Sequence, residues 1–456
     1  MSDLIAAVAT APGAGGVGIL RLSGPGAART AAQVFRPAGK ISLMEAPDRK
    51  LLYGSILDKE GRVIDTGLAF VSRGPHSYTG EDTAEIQGHG SPMVLSLALE
   101  ALFAHGARQA LAGEFTKRAF LNGKLDLTQA EAVIDLIHAE TPAAARQAAG
   151  RLEGTLSRTI AAIYDGLVDL SAHFHAVLDY PDEDIDPFRE ETIRRALDQA
   201  LAGTDALLAT YDRGRQLTTG VPTAILGRPN VGKSSLLNAL VGYDRAIVTQ
   251  IPGTTRDTIE AKASVGGVLL NLTDTAGLRE TGDEAERLGV ARSRAAAQEA
   301  RLVLLVLDGG ADLTPEDREA IALAKEAPAC ICIVNKSDLD QVLDLEALGR
   351  DFPNLCLVSA KNQSGLETLG PMVARLFPTG DGGEGEALLT NARQMEAVQR
   401  AGENLRRARE GLELGVPPDL LLSDVENALE ALGEVTGTTV REDITSRIFQ
   451  RFCVGK

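Results

Sequence analysis

Apolar and polar positions follow different rhythms along this chain, and the changes of rhythm divide it. In residues 1–120, LIAAVAT reads as a strand, and VGILRLSG (17–24), KLLYGSIL (50–57) and DTGLAFVS (65–72) alternate with the strand period. MVLSLALEALFAHG (93–106) has apolar positions three and four apart, which predicts a helix. SYTGEDTAEIQGHGSP (77–92) is glycine-rich and polar and reads as a functional loop. Residues 125–212 are Ala-rich with helical spacing, broken only at YPDEDIDPF (180–188). Residues 216–378 alternate strands with helices, as in a doubly wound parallel sheet. TGDGGEGEALL (379–389) has linker composition, and residues 390–450 are helical again.

A helical region resumed after an α/β segment implies an inserted domain, which leaves and re-enters its host at nearby points. The expected organisation is therefore an N-terminal α/β domain (1–120), a helical domain in two parts (121–215 and 379–456) and an inserted α/β domain (216–378). Residues 125–212 and 390–450 are expected to form one bundle.

Composition narrows the classes. No apolar run reaches membrane-spanning length and the N-terminus lacks a basic region before its apolar patch, so a soluble chain without membrane association or signal peptide is expected. Four cysteines (330, 332, 356, 453) in 456 residues are no disulfide framework and point to a reducing cytoplasm. A net charge of −17 means that contact with RNA would need a local basic patch or a more basic partner. Gly13–Gly18 matches G-x-G-x-x-G, but a strand follows where a dinucleotide fingerprint needs a helix, so a glycine-rich hairpin is expected. His173 and His175, two apart on a helix, do not share a face and read as packing residues rather than a metal pair.

The strongest chemical signal lies in VPTAILGRPNVGKSSLLN (221–238). A short apolar run ends at Gly227, G-x-x-x-x-G-K-S follows, and helix formers come next. Glycine lets the backbone approach an anion closely, and the N–H groups of Asn230, Val231, Gly232, Lys233, Ser234 and Ser235 can wrap phosphates at a helix N-terminus. Lys233 supplies a point charge to the outer phosphates and Ser234 a hydroxyl to Mg²⁺. Downstream, VLLNLTDTAG is a strand ending in Asp274-Thr275-Ala276-Gly277, where an Asp can hold Mg²⁺ through water and a Gly can donate to the γ-phosphate. CICIVNKSD ends in Asn335, Lys336 and Asp338; a carboxylate there accepts both N1–H and N2–H of guanine, which adenine does not offer. Ser359-Ala360-Lys361 would face the guanine O6. The order and spacing are those of a GTPase.

Leu278 follows DTAG where Ras-like enzymes carry a water-orienting glutamine, so hydrolysis needs another route. Asn230, with carbonyls of the loop that includes Thr249-Gln-Ile-Pro-Gly-Thr254-Thr255, can cage a monovalent cation that stabilises charge where others use an arginine finger. Glu284 or Glu286 of GDEAERLG (282–289) can position the attacking water.

Along its full length the chain resembles the MnmE (TrmE) family of tRNA-modification GTPases. The residues that carry the likeness are GGVGILRLSG, TGEDTAEIQGHG, GEFTKRAFLNGKLDL, GRPNVGKSSLLN, IPGTTRD, DTAGLRETGDEAERLG, NKSD and the terminal FCVGK, with Val454 where the family usually has Ile. The resemblance implies a potassium site at Asn230, Thr249, Ile251 and Thr254, Mg²⁺ at Ser234 and Thr255, and Glu286 as the catalytic glutamate. It also implies dimerisation through the N-terminal domain and a tetrahydrofolate derivative (5-formyl or 5,10-methylene) at Arg21, Glu85, Lys124 and Lys456. A flavoprotein partner, MnmG (GidA), would join it in adding an aminomethyl-type (carboxymethylaminomethyl) group at C5 of wobble uridine 34 of certain tRNAs. The tail ending Cys453-Val-Gly-Lys is a poor prenylation box, and Ile448, Phe449 and Phe452 are expected to dock it on its own chain. The competing readings are a regulatory RNA-binding GTPase of ribosome assembly and a one-carbon transfer enzyme that the nucleotide domain merely regulates.

Overall fold

The computed structural model describes residues 3–179, 190–243, 261–274, 295–379, 386–439, 442–450 and 452–456. The chain divides into two compact units, one made of residues 1–134, 160–164 and 426–456, the other of residues 135–159 and 165–425.

In the first unit, strands β1 (Ile5–Val8), β2 (Gly15–Ser23), β3 (Phe35–Pro37), β4 (Leu52–Leu57), β5 (Val63–Ser72), β6 (Thr83–Gly90) and β7 (Arg108–Gln109) form one sheet in the order β3-β4-β5-β6-β2-β1-β7. Helices α1 (Ala27–Val34) and α2 (Pro92–Ala104) bury Ala27, Ala31, Val34, Leu95, Ala98 and Leu102 against Leu20, Leu22, Ala69, Val71, Ala84 and Ile86 of the sheet. The period-two alternation of the strands is thus a buried and an open face. The Gly13–Gly18 segment enters the β1–β2 antiparallel pair, Ile5 opposite Ser23, as a hairpin should.

One expectation fails. Residues 77–92 are not a loop throughout: Thr83–Gly90 is strand β6, paired on both sides, with β5 (Ala69 opposite Ile86) and with β2 (Arg21 opposite Glu85). Only Ala84 and Ile86 mark its buried face by sequence, because its glycines let neighbouring backbone come close. A Cβ at Gly90 would lie 2.6 Å from the Gly15 carbonyl oxygen.

Helices α3 (Glu114–Leu121) and α4 (Leu127–Ile137) follow, and the last helix of the chain packs with them in the same unit. Phe449 is 1% exposed, its ring 6.3 Å from that of Phe120 and 5.2 Å from that of Phe452, beside Leu127 and Ala130. Gly437 turns the chain at φ 92, and a Cβ there would meet the Phe120 ring at 2.8 Å.

In the second unit the helices are α5 (Pro142–Leu152), part of α6 (Thr155–Asp179), α7 (Glu190–Ala209) and α8 (Tyr211–Thr219). Then come β8 (Val221–Leu226), α9 (Lys233–Tyr243), β9 (Ala261–Val265), β10 (Val268–Asp274), β11 (Leu302–Asp308), α10 (Pro315–Glu326), β12 (Cys330–Asn335), α11 (Leu345–Asp351), β13 (Leu355–Val358) and α12 (Leu369–Leu376). The sheet order is β13-β12-β11-β8-β10-β9, parallel except for the edge strand β9, which forms an antiparallel hairpin with β10. Helix-covered faces on both sides explain why β11 (LVLLVLD) and β12 (CICIVN) are apolar without alternation.

After the sheet, α13 (Ala392–Glu413) lies along α7, with Arg406 paired to Asp205, Arg409 to Asp198 and Gly402 close to the buried Thr204. Helix segments that precede and follow the nucleotide sheet are therefore partners. The returning chain is also pinned by Arg151, which is fully buried, pairs with Asp135 and donates to Thr390 Oγ1 at 2.6 Å. The remaining helices, α14 (Pro418–Thr436) and α15 (Glu442–Phe449), lead into the tail.

Truncating Phe449 to Ala should destabilise the first unit by about 3 kcal/mol, the usual range for a buried aromatic. Denaturant titration followed by a probe in residues 1–134 should show that unit melting earlier, and an unchanged midpoint would contradict the packing described.

Candidate functional site

β8 delivers the chain to Gly227 (φ 147), and the turn that follows uses left-handed backbone at Asn230 (φ 63) and Gly232 (φ 103) before α9 starts at Lys233. Two of these positions are closed to side chains. A Cβ at Gly227 would lie 2.3 Å from the Val306 carbonyl, and one at Gly232 would lie 2.2 Å from Asn335 Nδ2. Lys233, only 5% exposed, reaches back over the turn, and its Nζ donates to the carbonyls of Gly227 (2.6 Å) and Arg228 (2.9 Å). The result is a ring of backbone at the mouth of a helix N-terminus with an ammonium across it, the geometry that binds polyphosphate.

Asn335 ends β12 and is buried. Its Nδ2 donates to Val231 O at 2.7 Å, and its Oδ1 accepts from Ala360 N at 3.0 Å. One amide thereby ties the phosphate loop to the Ser359–Lys361 loop. Lys336 takes a left-handed turn (φ 63), which carries the chain to the exposed Asp338. Ser359 Oγ donates to Asp338 Oδ1 at 2.6 Å and also accepts from Asn362 N. That hydroxyl, with weaker help from Lys361 and Lys336, holds the Asp338 carboxyl below the usual range, which leaves an ionised acceptor exposed at the loop.

Sequence reasoning missed a charged row behind these loops. Asp308, at the end of β11, accepts from Lys336 Nζ (Oδ2, 2.7 Å) and Gly310 N (Oδ1, 3.1 Å) and lies 3.6 Å from Arg228. Burial raises its pKa, but these partners outweigh burial and hold it low. Arg228 Nε also lies 3.0 Å from Asp317, the buried third residue of α10, whose carboxylate completes the capping box with Thr314.

Of the predicted nucleotide residues, the structure therefore joins Asn230, Val231, Gly232, Lys233, Ser234 and Ser235 in one loop and helix start, with Asn335, Lys336, Asp338, Ser359, Ala360 and Lys361 in the two loops beside it. Asp274 ends β10, parallel to β8 with Asp274 opposite Ile225, and so at the same sheet edge. Thr249, Ile251, Thr254, Thr255, Thr275, Ala276, Gly277, Glu284 and Glu286 lie outside the described residues.

The first unit holds a second cluster. Arg21 (β2) and Glu85 (β6) stand opposite each other, and Arg21 Nε donates to Glu85 Oε1 at 2.8 Å. The guanidinium sits 5.6 Å from the Tyr78 ring centre and 5.8 Å from that of Phe115, within cation–π range. Neither aromatic was legible as a site residue, since nothing in sequence links them to Arg21. Lys456 feels both Arg21 and Glu85; burial first, then the Arg21 charge, lowers its pKa. The tail reaches this position because Val454 bridges to Ala112, Gly113 N donates to Cys453 O and Phe115 N to Lys456 O. Lys124 is exposed and stands in the next loop, beside Gly80. Arg21, Glu85 and Lys456 are thus brought together.

Residues 127–453 match the family model "MnmE helical domain" and residues 4–124 match "GTP-binding protein TrmE N-terminus". The chain belongs to the MnmE (TrmE) family. It is 46% identical over 468 residues to the tRNA modification GTPase MnmE of Roseiflexus sp. (strain RS-1), with 100% of this chain and 99% of the relative covered. The corresponding protein of Symbiobacterium thermophilum is 45% identical over 456 residues, with 100% and 99% covered. That of Moorella thermoacetica is 44% identical over 467 residues, with both chains covered completely. The helical-domain match runs across the six-stranded sheet rather than stopping at it.

Gly232→Ala should abolish guanine-nucleotide binding while the fold survives, because φ 103 and the Asn335 amide both refuse a methyl group. Titration with a fluorescent GDP analogue should show at least a hundredfold loss, and near-native affinity would refute the close approach.

Proposed function

We propose that this chain, a GTP hydrolase acting in tRNA modification, works by a potassium-assisted mechanism and serves a folate-dependent modification of wobble uridine 34. The observation that carries the GTPase reading is the Asn335 clamp. It sets a polyphosphate cradle and a guanine-accepting carboxylate side by side. Family membership supports tRNA modification over the ribosome-assembly reading.

The potassium proposal rests on Asn230. A neutral amide oxygen on an exposed, left-handed turn of the phosphate loop is a donor suited to an alkali ion. Asn230, Thr249, Ile251 and Thr254 would hold the ion, which supplies positive charge beside the transferred phosphoryl group. Ser234 and Thr255 would hold Mg²⁺. Glu286 would orient the attacking water.

The Arg21–Glu85–Lys456 cluster fits a folate. A carboxylate can accept from pterin N–H groups, and Tyr78 and Phe115 flank the place with aromatic rings. The bound folate supplies a one-carbon unit. The open face of the first unit's sheet supports a homodimer: Tyr53 (β4) and Leu68 (β5) stand opposite each other, 60% and 37% exposed, and a second copy would cover them. The flavoprotein partner MnmG and the carboxymethylaminomethyl product at C5 rest on the family resemblance.

GTP turnover should fall at least tenfold when sodium replaces potassium at equal ionic strength, with GTP affinity little changed; equal rates in both salts would dispose of the cation cage. Glu286→Ala should keep nucleotide affinity and lose hydrolysis by two orders of magnitude or more, whereas parallel loss of both would assign that residue to binding or folding. Nucleoside analysis of tRNA from cells lacking this chain should show unmodified uridine at the wobble position, and unaltered wobble nucleosides would overturn the tRNA proposal.

A further inference from the structure

Four charged side chains from four separate segments form a row behind the nucleotide loops. Asp317 belongs to the first turn of α10, where its Oδ2 also accepts from Thr314 N (3.0 Å) and Thr314 Oγ1 (2.9 Å). Arg228 belongs to the phosphate loop, Asp308 ends β11, and Lys336 opens the base-reading loop. Along the row the separations are 3.0, 3.6 and 2.7 Å, and the four charges sum to zero. All four are half-buried or deeper: side-chain exposure runs from 3% at Asp317 to 35% at Lys336. In such surroundings an uncompensated charge is costly.

Asp308 is the only member placed between the two loops. It is fixed from behind, since Gly310 N donates to its other oxygen, Gly309 N donates to Asn335 O, and Val342 N donates to Gly309 O. The Gln341 amide packs against Gly309, where a Cβ would lie 2.2 Å from its oxygen and displace it. Gln341 in turn donates to the carbonyls of Lys336 and Leu339. The carboxylate therefore stands on a rigid strand end and draws a cation from each loop toward itself.

We propose that Asp308 is a positioning residue for guanine nucleotide, holding the phosphate loop through Arg228 and the base-reading loop through Lys336 at the spacing one nucleotide requires. The inference rests on the GTPase assignment, and nucleotide binding by the unaltered chain is its control. If that control fails, the GTPase assignment is at fault rather than Asp308. Without the carboxylate charge, Arg228 and Lys336 repel each other across the gap and the loops separate. Binding weakens for GDP and GTP alike, because both span the same gap. Hydrolysis by the bound state is untouched, because Asp308 lies behind the loops and contacts no reacting atom.

The test uses the full chain and a fluorescent GDP analogue, with steady-state GTP hydrolysis in potassium. Asp308→Asn keeps the shape and the Gly310 hydrogen bond. It should weaken GDP about tenfold and raise KM for GTP by a similar factor, with kcat within twofold and an unchanged melting temperature. Asp308→Glu should recover most of the affinity. Adding Arg228→Gln to Asp308→Asn removes the surplus positive charge and should recover part of it. Unchanged affinity in Asp308→Asn would overturn the proposal. So would a loss of kcat in step with a lowered melting temperature, or a double variant no better than the single one.

Discussion

A buried amide sets the distance between two loops that have to meet one nucleotide. Asn335 can do this only because the sheet places it: β12 lies between β11 and β13, with Asp308 opposite it on the one and Val358 on the other. Its two hydrogen bonds, to Val231 and Ala360, occupy backbone groups that would otherwise be buried without partners, at a cost of about 1–3 kcal/mol each. Strand register, loop spacing and the need for glycine at 232 are therefore one constraint expressed three times. The chain bends as it does between Gly227 and Lys233 because Val306 O and the Asn335 amide occupy the space that side chains would take.

The first unit solves the same problem with charge. Arg118, 9% exposed, donates to Glu81, Glu114, Asp3 and the Asp3 carbonyl, so the Asp3 and Glu81 segments converge on the helix that carries Glu114 and Arg118. Burial disfavours its charge, and the carboxylates beside it outweigh that effect. Glu81 also accepts from Ser23 Oγ, and Ser23 ends the strand that carries Arg21. Tyr78, three residues before Glu81, is held by Thr116 on the same helix as Arg118. The aromatic ring over Arg21 is thus positioned through a network whose members lie far apart in sequence. Such a network is worthwhile only when complete, since one missing partner leaves a buried charge exposed to its full desolvation penalty.

That distinction explains what could be read from the sequence. The phosphate loop, the guanine loop and the strands leading to them were legible, because their chemistry is local: glycines where φ is positive, apolar runs where both faces are covered. Strand β6 was not, because its polar residues sit at a sheet position decided by neighbours on both sides. Tyr78, Phe115 and Asp308 were not, because their roles depend on tertiary packing that no spacing rule encodes. The tail was half legible: Phe449 and Phe452 announced burial, but only the pairing of Val454 with Ala112 shows where the terminal lysine goes.

The charge row also bears on how hydrolysis can proceed without a water-orienting glutamine after DTAG. An arginine already sits in the phosphate loop, yet Arg228 is no candidate for stabilising charge on the transferred group. It is drawn away from the cradle by Asp317 at 3.0 Å and Asp308 at 3.6 Å, and freeing it would take the cation from the buried Asp317 carboxylate. Among the described residues Lys233 is the cation that remains at the cradle, and an ammonium and a Mg²⁺ would not by themselves supply the charge that an arginine finger adds. On the proposed reading, a small cation at the Asn230 amide would supply the positive charge that Arg228 does not.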